Sequence, residues 1–347
     1  MPRRAGRRPT PGERVHLYDL WFAAIAALIA GYLLLEGFEL GVGVLLRALA
    51  RDDAERRVLT AIVAPVWDGN EVWLIAAGGA MYAAFPAWCA SLSSALRPLL
   101  LAIVLALVAR GVALACRDVR PGPSWRRGWD VVTFFGSLVP AFLWGVASAN
   151  VVRGLALDDR HLHTGTPRDL LNVYALIGGA AALLLFIFHG AAFTTLRTSG
   201  ELRERARRLS RQVGGGALAA TAVFLLWTQA GYGSAASAVT GALAVLALAG
   251  SLALGRAATA RDGRAFALSA AAVVLGTVTL FAALYPDALP STTDPAHGLT
   301  AANASAAPDA LRTTTVVAAF VLPLLLIHQG RTYRIFRRRV GTRRVPA

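Results

Sequence analysis

Apolar residues along this chain come in long unbroken runs, and polar residues are confined to short stretches between them. A helix that crosses a bilayer needs about 20 mostly apolar residues, each adding about 1.5 Å of rise. Runs of that kind cover residues 18–46, 59–85, 91–116, 131–151, 171–196, 213–230, 236–254, 265–284 and 311–329, nine expected spans in all. The pattern therefore predicts an all-α, polytopic membrane protein. The first run is not expected to be a cleavable leader, because it is too long and has no small-residue cleavage site before further apolar sequence.

Composition narrows the class. The 347 residues are 56% hydrophobic and only 16% charged, with a mean hydropathy of +0.54. An ordinary soluble domain carries about 25% charged residues, and a disordered basic chain has low hydrophobicity. The net charge of +15, carried by 35 arginines and no lysine, raises nucleic acid as a partner. Nucleic-acid binders spread such charge over a soluble fold, whereas here the arginines lie in clumps between apolar runs, so no nucleic acid is expected.

Sorted by connection, the arginines become a topology signal. The connections after spans one, three, five and seven hold 4, 4, 6 and 3 arginines, and the C-terminal tail holds 7. The even connections hold few: Arg153, Arg160 and Arg168 after span four, and Arg312 at the last. Cytoplasmic loops attract arginine, so the odd connections and the C-terminus are expected inside and the N-terminus outside. The five arginines of residues 1–14 run against this: either the later charge bias dominates, or, the favoured expectation, the true start lies downstream of Met1. Residues 286–309 read as an outer loop, rich in Pro, Ser, Thr and Asp. Residues 197–211 (RTSGELRERARRLSR) read as a charged helical surface segment able to meet anionic lipid headgroups.

Ionisable groups inside spans are costly and mark buried functional paths. Span one carries Glu36 and Glu39, and span two carries Asp68 and Glu71, each pair at i and i+3 on one helical face. Their distances from Arg47 and Arg57 place all four in the inner half. Two readings fit them: a proton route entering from the cytoplasm, or carboxylates neutralised by interhelical hydrogen bonds. Arg110 in span three is a counter-ion to one of these acids or shapes a buried polar cavity. Trp67, Trp73, Trp88 and Trp129 are candidates for an interfacial belt, with Trp73 better placed to pack around the acids.

Haem needs axial ligands, and of the six histidines only His189 lies within a span. Met1 and Met81 are the only methionines, so a multi-haem site lacks ligands. His189 is a single conceivable haem ligand or, the stronger reading, a hydrogen-bonded packing histidine. No CxxCH, Walker loop or metal-spaced cluster occurs, so no metal is expected. Cys89 and Cys116 are expected near opposite ends of one helix, about 40 Å apart, which excludes a disulfide between them.

At this point the motifs meet a family. The runs GYLLLEGFELGVG, ERR, PVWDGNEVWLIAAGGAMYAAFP and RGVALACR resemble subunit II of cytochrome bd-type quinol oxidases. Trp129-Asp130, FGSLVPAFLWGVASAN and His189-Gly190-Ala191 followed by LRTSGEL extend the likeness to about Leu202. Beyond that point only the spans and lengths agree. The resemblance implies two four-helix bundles and a ninth, peripheral helix. On the expected spans these are 17–151, 171–286 and 310–330, between basic tails at 1–16 and 331–347. It also implies a haem-free subunit in the cell membrane, paired with a subunit I that carries haems b and d and the quinol site. The complex would oxidise quinol and reduce dioxygen to water, with cytoplasmic protons, and a small single-span accessory subunit and membrane lipids are further expected partners. Asp68, Glu36 and Glu39 match positions the family associates with a proton path, and Trp73 and Arg110 match residues near a dioxygen route. The family's usual DGFDLG is EGFELG here, which keeps both charges and moves each carboxylate by about a methylene. Where the family often has Phe-Glu-Phe-Arg, this chain has Leu114-Ala115-Cys116-Arg117, so no acid stands at Ala115.

Intramembrane acids and nine spans also suit a proton-coupled secondary transporter, or a structural scaffold. The motifs favour the oxidase subunit. On that reading, Asp68→Asn slows proton-coupled turnover and leaves assembly intact; an unchanged rate in the assembled variant removes Asp68 from the path.

Overall fold

The protein is described by a computed structural model covering residues 11–257, 261–335 and 339–341. Parts of the two expected basic tails, 1–16 and 331–347, lie outside the described residues. Eleven α-helices carry the described chain: α1 (Pro11–Leu49), α2 (Asp53–Val63), α3 (Trp67–Ala84), α4 (Pro86–Ala95), α5 (Arg97–Cys116), α6 (Pro123–Arg153), α7 (Val173–Arg197), α8 (Gly200–Tyr232), α9 (Ala235–Arg256), α10 (Asp262–Leu284) and α11 (Pro308–Ile335). Eight of them are individually long and apolar enough to cross a membrane, and α2 with α3 makes a ninth candidate crossing bent by 41°. The molecule is an all-α polytopic membrane protein.

Two spans expected as single helices are divided, and proline is the cause in both. Pro65 has no amide hydrogen for the Ala61 carbonyl, and its ring crowds that carbonyl. Residues 59–85 therefore split into α2 and α3, with the Ala64 amide closing on Thr60 and helical bonding resuming at Asn70 onto Val66. In residues 91–116 the helix breaks at Leu96, two residues before Pro98, and α4 opens with Pro86 in its first turn. Cys89 and Cys116 thus sit on α4 and α5 rather than on one helix, and both are free thiols. Of residues 197–211, expected as a charged helical surface segment, Arg197 ends α7, and residues 200–211 are helical and run on into the sixth span within the 33-residue α8. Trp88 is not a belt residue: it is buried, stacked on Phe22 and edge-on to Phe85.

The arginine-rich connections gather at one end of the molecule. There Arg205 of α8 bonds Glu55 of α2 and the Leu49 carbonyl, and Arg203 and Arg207 bond Asp262 of α10. The Val340 amide reaches the Arg197 carbonyl at that same end. The opposite end holds the connection between α6 and α7, and a two-stranded antiparallel pair, β1 (Asp287–Leu289) and β2 (Leu299–Thr300). Leu155 exchanges backbone bonds with Pro290 and Thr292, and the Ser91 hydroxyl bonds the His161 carbonyl at 2.7 Å. The Leu162 and Arg160 amides bond Asp158 and hold its carboxyl below the usual carboxylate range. Tyr285 OH donates to Asp19 at 3.0 Å, so α1 begins at this arginine-poor end.

α1 is the central helix, packing against α3, α6, α7 and α10, while α11 lies at the edge on α3 and α1 with most of its apolar side chains exposed. Between apolar helices in lipid, small residues permit the close approach that dispersion requires. At the crossing of α1 and α7, a Cβ on Gly41 would stand 1.9 Å from the Phe186 carbonyl oxygen, and one on Gly190 2.6 Å from Gly41 backbone. Gly41→Ala must push the two helices apart, an overpacking cost of about 1–3 kcal/mol. The expected outcome is a lower midpoint in thermal unfolding of the detergent-solubilised protein; an unchanged midpoint would contradict the tight crossing.

Candidate functional site

Midway along α1, Glu36 and Glu39 lie on the face turned toward α3 and α5, and both are buried. Arg110 of α5, 2% exposed, points its Nη2 at them. That nitrogen contacts Glu36, lies 3.3 Å from Glu39 Oε2 and lies 3.8 Å from Glu71 Oε1 on α3. The break at Pro65 positions α3 for this, because it restarts the helix just before Asn70 and Glu71. Asn70, fully buried, donates its amide N–H to Glu39. Its carbonyl oxygen accepts from Gln329 Nε2 at 2.6 Å and from Tyr333 OH at 3.3 Å, both on α11.

Three of the four expected acids therefore meet around Arg110, and one does not. Asp68 stands in the first turn of α3 on its exposed side, and Glu71, with a side chain 21% exposed, lies between it and the buried pair. Trp73 lies across Gly31 of α1 beside this cluster, with its indole N–H buried and unpartnered. Arg110 Nε and Nη1 are likewise buried without a protein partner. Buried polar atoms of this kind are ordinarily met by ordered water.

His189 of α7 is separate from this cluster. Its Nδ1 lies 2.7 Å from Ser269 Oγ and its Nε2 3.3 Å from the Leu34 carbonyl, and its ring stacks on Phe266 at 4.8 Å. Both ring nitrogens are engaged, so the residue does not fit axial ligation of a haem. Among the described residues no group of three or more His, Cys, Asp or Glu side chains is arranged to hold a metal ion.

Two sets of residues escaped the sequence reading. Gln329 and Tyr333 sit at the end of the ninth span, where polar residues look like ordinary interfacial ones; only the fold brings them to Asn70. Arg117 reads in the sequence as one of the topology arginines, yet it is 1% exposed. Its Nε donates to Asp130 of α6 at 2.7 Å, its Nη2 to Asp53 of α2 at 2.7 Å and its Nη1 to Asp118 at 2.9 Å. Arg126 adds a bond to Asp53 at 2.7 Å, and Arg56 lies 3.5 Å from Asp130. The WD pair at residues 129–130 was the available signal.

The family described as cytochrome bd terminal oxidase subunit II matches residues 17–336. The chain belongs to this family. Its similarity to cytochrome bd ubiquinol oxidase subunit 2 of Bacillus subtilis is 37% identity over 329 residues, 94% of this chain and 97% of that protein. Cytochrome bd-I ubiquinol oxidase subunit 2 of Escherichia coli (strain K12) is 38% identical over 192 residues, 54% of this chain and 51% of that one. In fold it is similar to a chain in the solved structure of bd oxidase from Geobacillus thermodenitrificans, with a TM-score of 0.73 at 16% identity, covering 92% of this chain and 98% of that one. As a bd oxidase subunit II, it belongs to an oxidoreductase complex that includes a subunit I.

Removing one partner from a buried ion pair leaves the rest uncompensated, at about 3–5 kcal/mol. Arg110→Gln is accordingly expected to lower the thermal midpoint of the purified oxidase steeply. Adding Glu36→Gln should recover part of the loss; fully additive effects in that double-mutant cycle would show that the two side chains do not interact.

Proposed function

We propose that this chain is the haem-free supporting subunit of a quinol-oxidising, dioxygen-reducing terminal oxidase, and that it supplies the complex with a proton route. The observation that carries the reading is the buried cluster of Arg110 with Glu36, Glu39 and Glu71, in a chain that matches the family over residues 17–336. One guanidinium balances one carboxylate. Three carboxylates around it are neutral as a group only when two protons are shared among them, which makes the cluster a store that can take up and release protons.

Burial falls from Glu36 and Glu39 to Glu71 and then to exposed Asp68, so the store opens sideways along α3. Protons leave by Glu71 and Asp68 toward the partner that covers this face, subunit I with its haems b and d and its quinol site. The arginine-rich end faces the cytoplasm, by the preference of arginine for that side, with the N-terminus outside. The division into bundles at 17–151 and 171–286 with a peripheral ninth helix belongs to the same reading, as do a single-span accessory subunit and lipid contacts. Trp73, beside the cluster, lines the side from which dioxygen approaches.

The test is purification of the tagged chain from its native membrane. A haem protein with d and b absorption bands should accompany it, and the chain alone should show none. In the complex, Glu39→Gln is expected to leave the haem spectrum intact and to slow proton uptake at least about tenfold, near 1.4 kcal/mol of added barrier. Copurification of no haem protein, with proton-coupled solute flux through the chain alone, would establish a transporter instead.

A further inference from the structure

The acid cluster lies well inside the bundle, and a proton store of this kind needs a polar connection to the end from which it is filled. α6 supplies a candidate. Asp130, Thr133 and Ser137 stand at i, i+3 and i+7, hence on one face of that helix, and they are 3%, 4% and 0% exposed. Seven residues at about 1.5 Å each span about 10 Å. At the outer end of this stripe, Asp130 belongs to the Arg117 network, which reaches solvent through Arg56, whose side chain is 27% exposed. At the inner end, Ser137 meets α1 at Gly43, where a Cβ would fall 2.0 Å from its hydroxyl oxygen. Only a glycine admits the hydroxyl there.

Between the two ends is a cavity of about 10 Å³, lined by Glu39, Gly43, Thr60, Arg110, Thr133 and Ser137 together with apolar side chains of α1, α2 and α5. A volume of that size holds about one water. The buried Nε and Nη1 of Arg110, which have no protein partner, belong to a side chain on its wall. Each hydroxyl is already committed as a donor to its own helix: Thr133 to Trp129 O at 2.9 Å, Ser137 to Thr133 O at 2.8 Å, and Thr60 to Arg57 O at 3.1 Å. What each still offers the cavity is an acceptor lone pair. Water there can accept from Arg110 and donate to the hydroxyls and to Glu39.

Resting on the proton-route reading above, we infer that the Asp130–Thr133–Ser137 stripe of α6, with Thr60 of α2, holds the water that fills the Glu39–Arg110 store from the arginine-rich end. Water carries the proton, forming one O–H bond and breaking another at each hop, and the protonated site at the end is the Glu39 carboxylate. Thr60, Thr133 and Ser137 are positioning residues: they fix the water and do not react.

The experiment uses the assembled oxidase in liposomes, with proton uptake from the arginine-rich side followed by a pH-sensitive dye during dioxygen reduction. Thr133→Val with Ser137→Ala removes both hydroxyls at nearly constant volume. The expected result is about tenfold slower uptake, or near 1.4 kcal/mol, with the haem spectrum unchanged and the rate preserved in Thr133→Ser. Should the double variant not assemble, Thr133→Val alone decides by the same comparison with Thr133→Ser. Wild-type uptake in the assembled double variant, or equal slowing by Thr133→Ser, overturns the inference. Glu39→Gln separates the two levels: slow uptake there with fast uptake in the hydroxyl variant removes only this stripe, and fast uptake in both removes the proton route itself.

Discussion

A guanidinium withdrawn from water keeps its charge, so acceptors must be built around it. In this bundle Arg110 draws in Glu36 and Glu39 from α1 and Glu71 from α3, and Asn70 extends the contact to Gln329 and Tyr333 on α11. Helices in lipid gain little from burying apolar surface against one another, because the lipid tails are equally apolar. What sets their register is polar contact and close packing at small residues. Arg110 provides the first for α1, α3 and α5, with Asn70 adding α11, and the α1 crossing at Gly41 and Gly190 provides the second.

The rest of the architecture follows from that demand. α3 can present Asn70 and Glu71 because Pro65 ends α2 and lets a new helix begin at Trp67. The 41° bend is thus part of how the site is made, since a straight helix through residue 65 would aim those side chains differently. At the arginine-rich end, the Arg117 network ties the start of α2 to α5 and α6. The bent span is held at its start by these ion pairs, just past the bend by the buried cluster and α11, and at its far end by the Ala84 carbonyl, which accepts from the Ala306 amide. The opposite end of the molecule relies on backbone pairing between loops, as between Leu155 and Pro290.

Much of the fold was legible because lipid imposes a simple rule: a run of about 20 apolar residues has to be a helix. The rule finds spans and passes over breaks, since Pro65 and Pro98 interrupt backbone bonding without interrupting hydropathy. That is why hydropathy alone makes two broken spans look continuous and sets Cys89 and Cys116 on one helix. The acids were legible for a similar reason, as charge inside an apolar run is conspicuous at any position. Asp68 shows the limit of that reasoning. Spacing puts it on a face with Glu71, but whether the face turns inward depends on the rotation of α3, which the bond from Asn70 to Glu39 decides.

By itself the sequence determined that the chain is a multi-spanning helical protein, that its two ends differ in charge, and which motifs mark its family. These are properties of composition and local order, and the bilayer enforces them on any chain with this pattern. Only the tertiary structure decided which charges meet. Residues 36, 39, 70, 71, 110, 329 and 333 come from four helices, and Arg117 looks like any other loop arginine until Asp53 and Asp130 close around it. Such pairings depend on helix rotation and depth to within a hydrogen-bond length, and apolar runs of similar character leave both open.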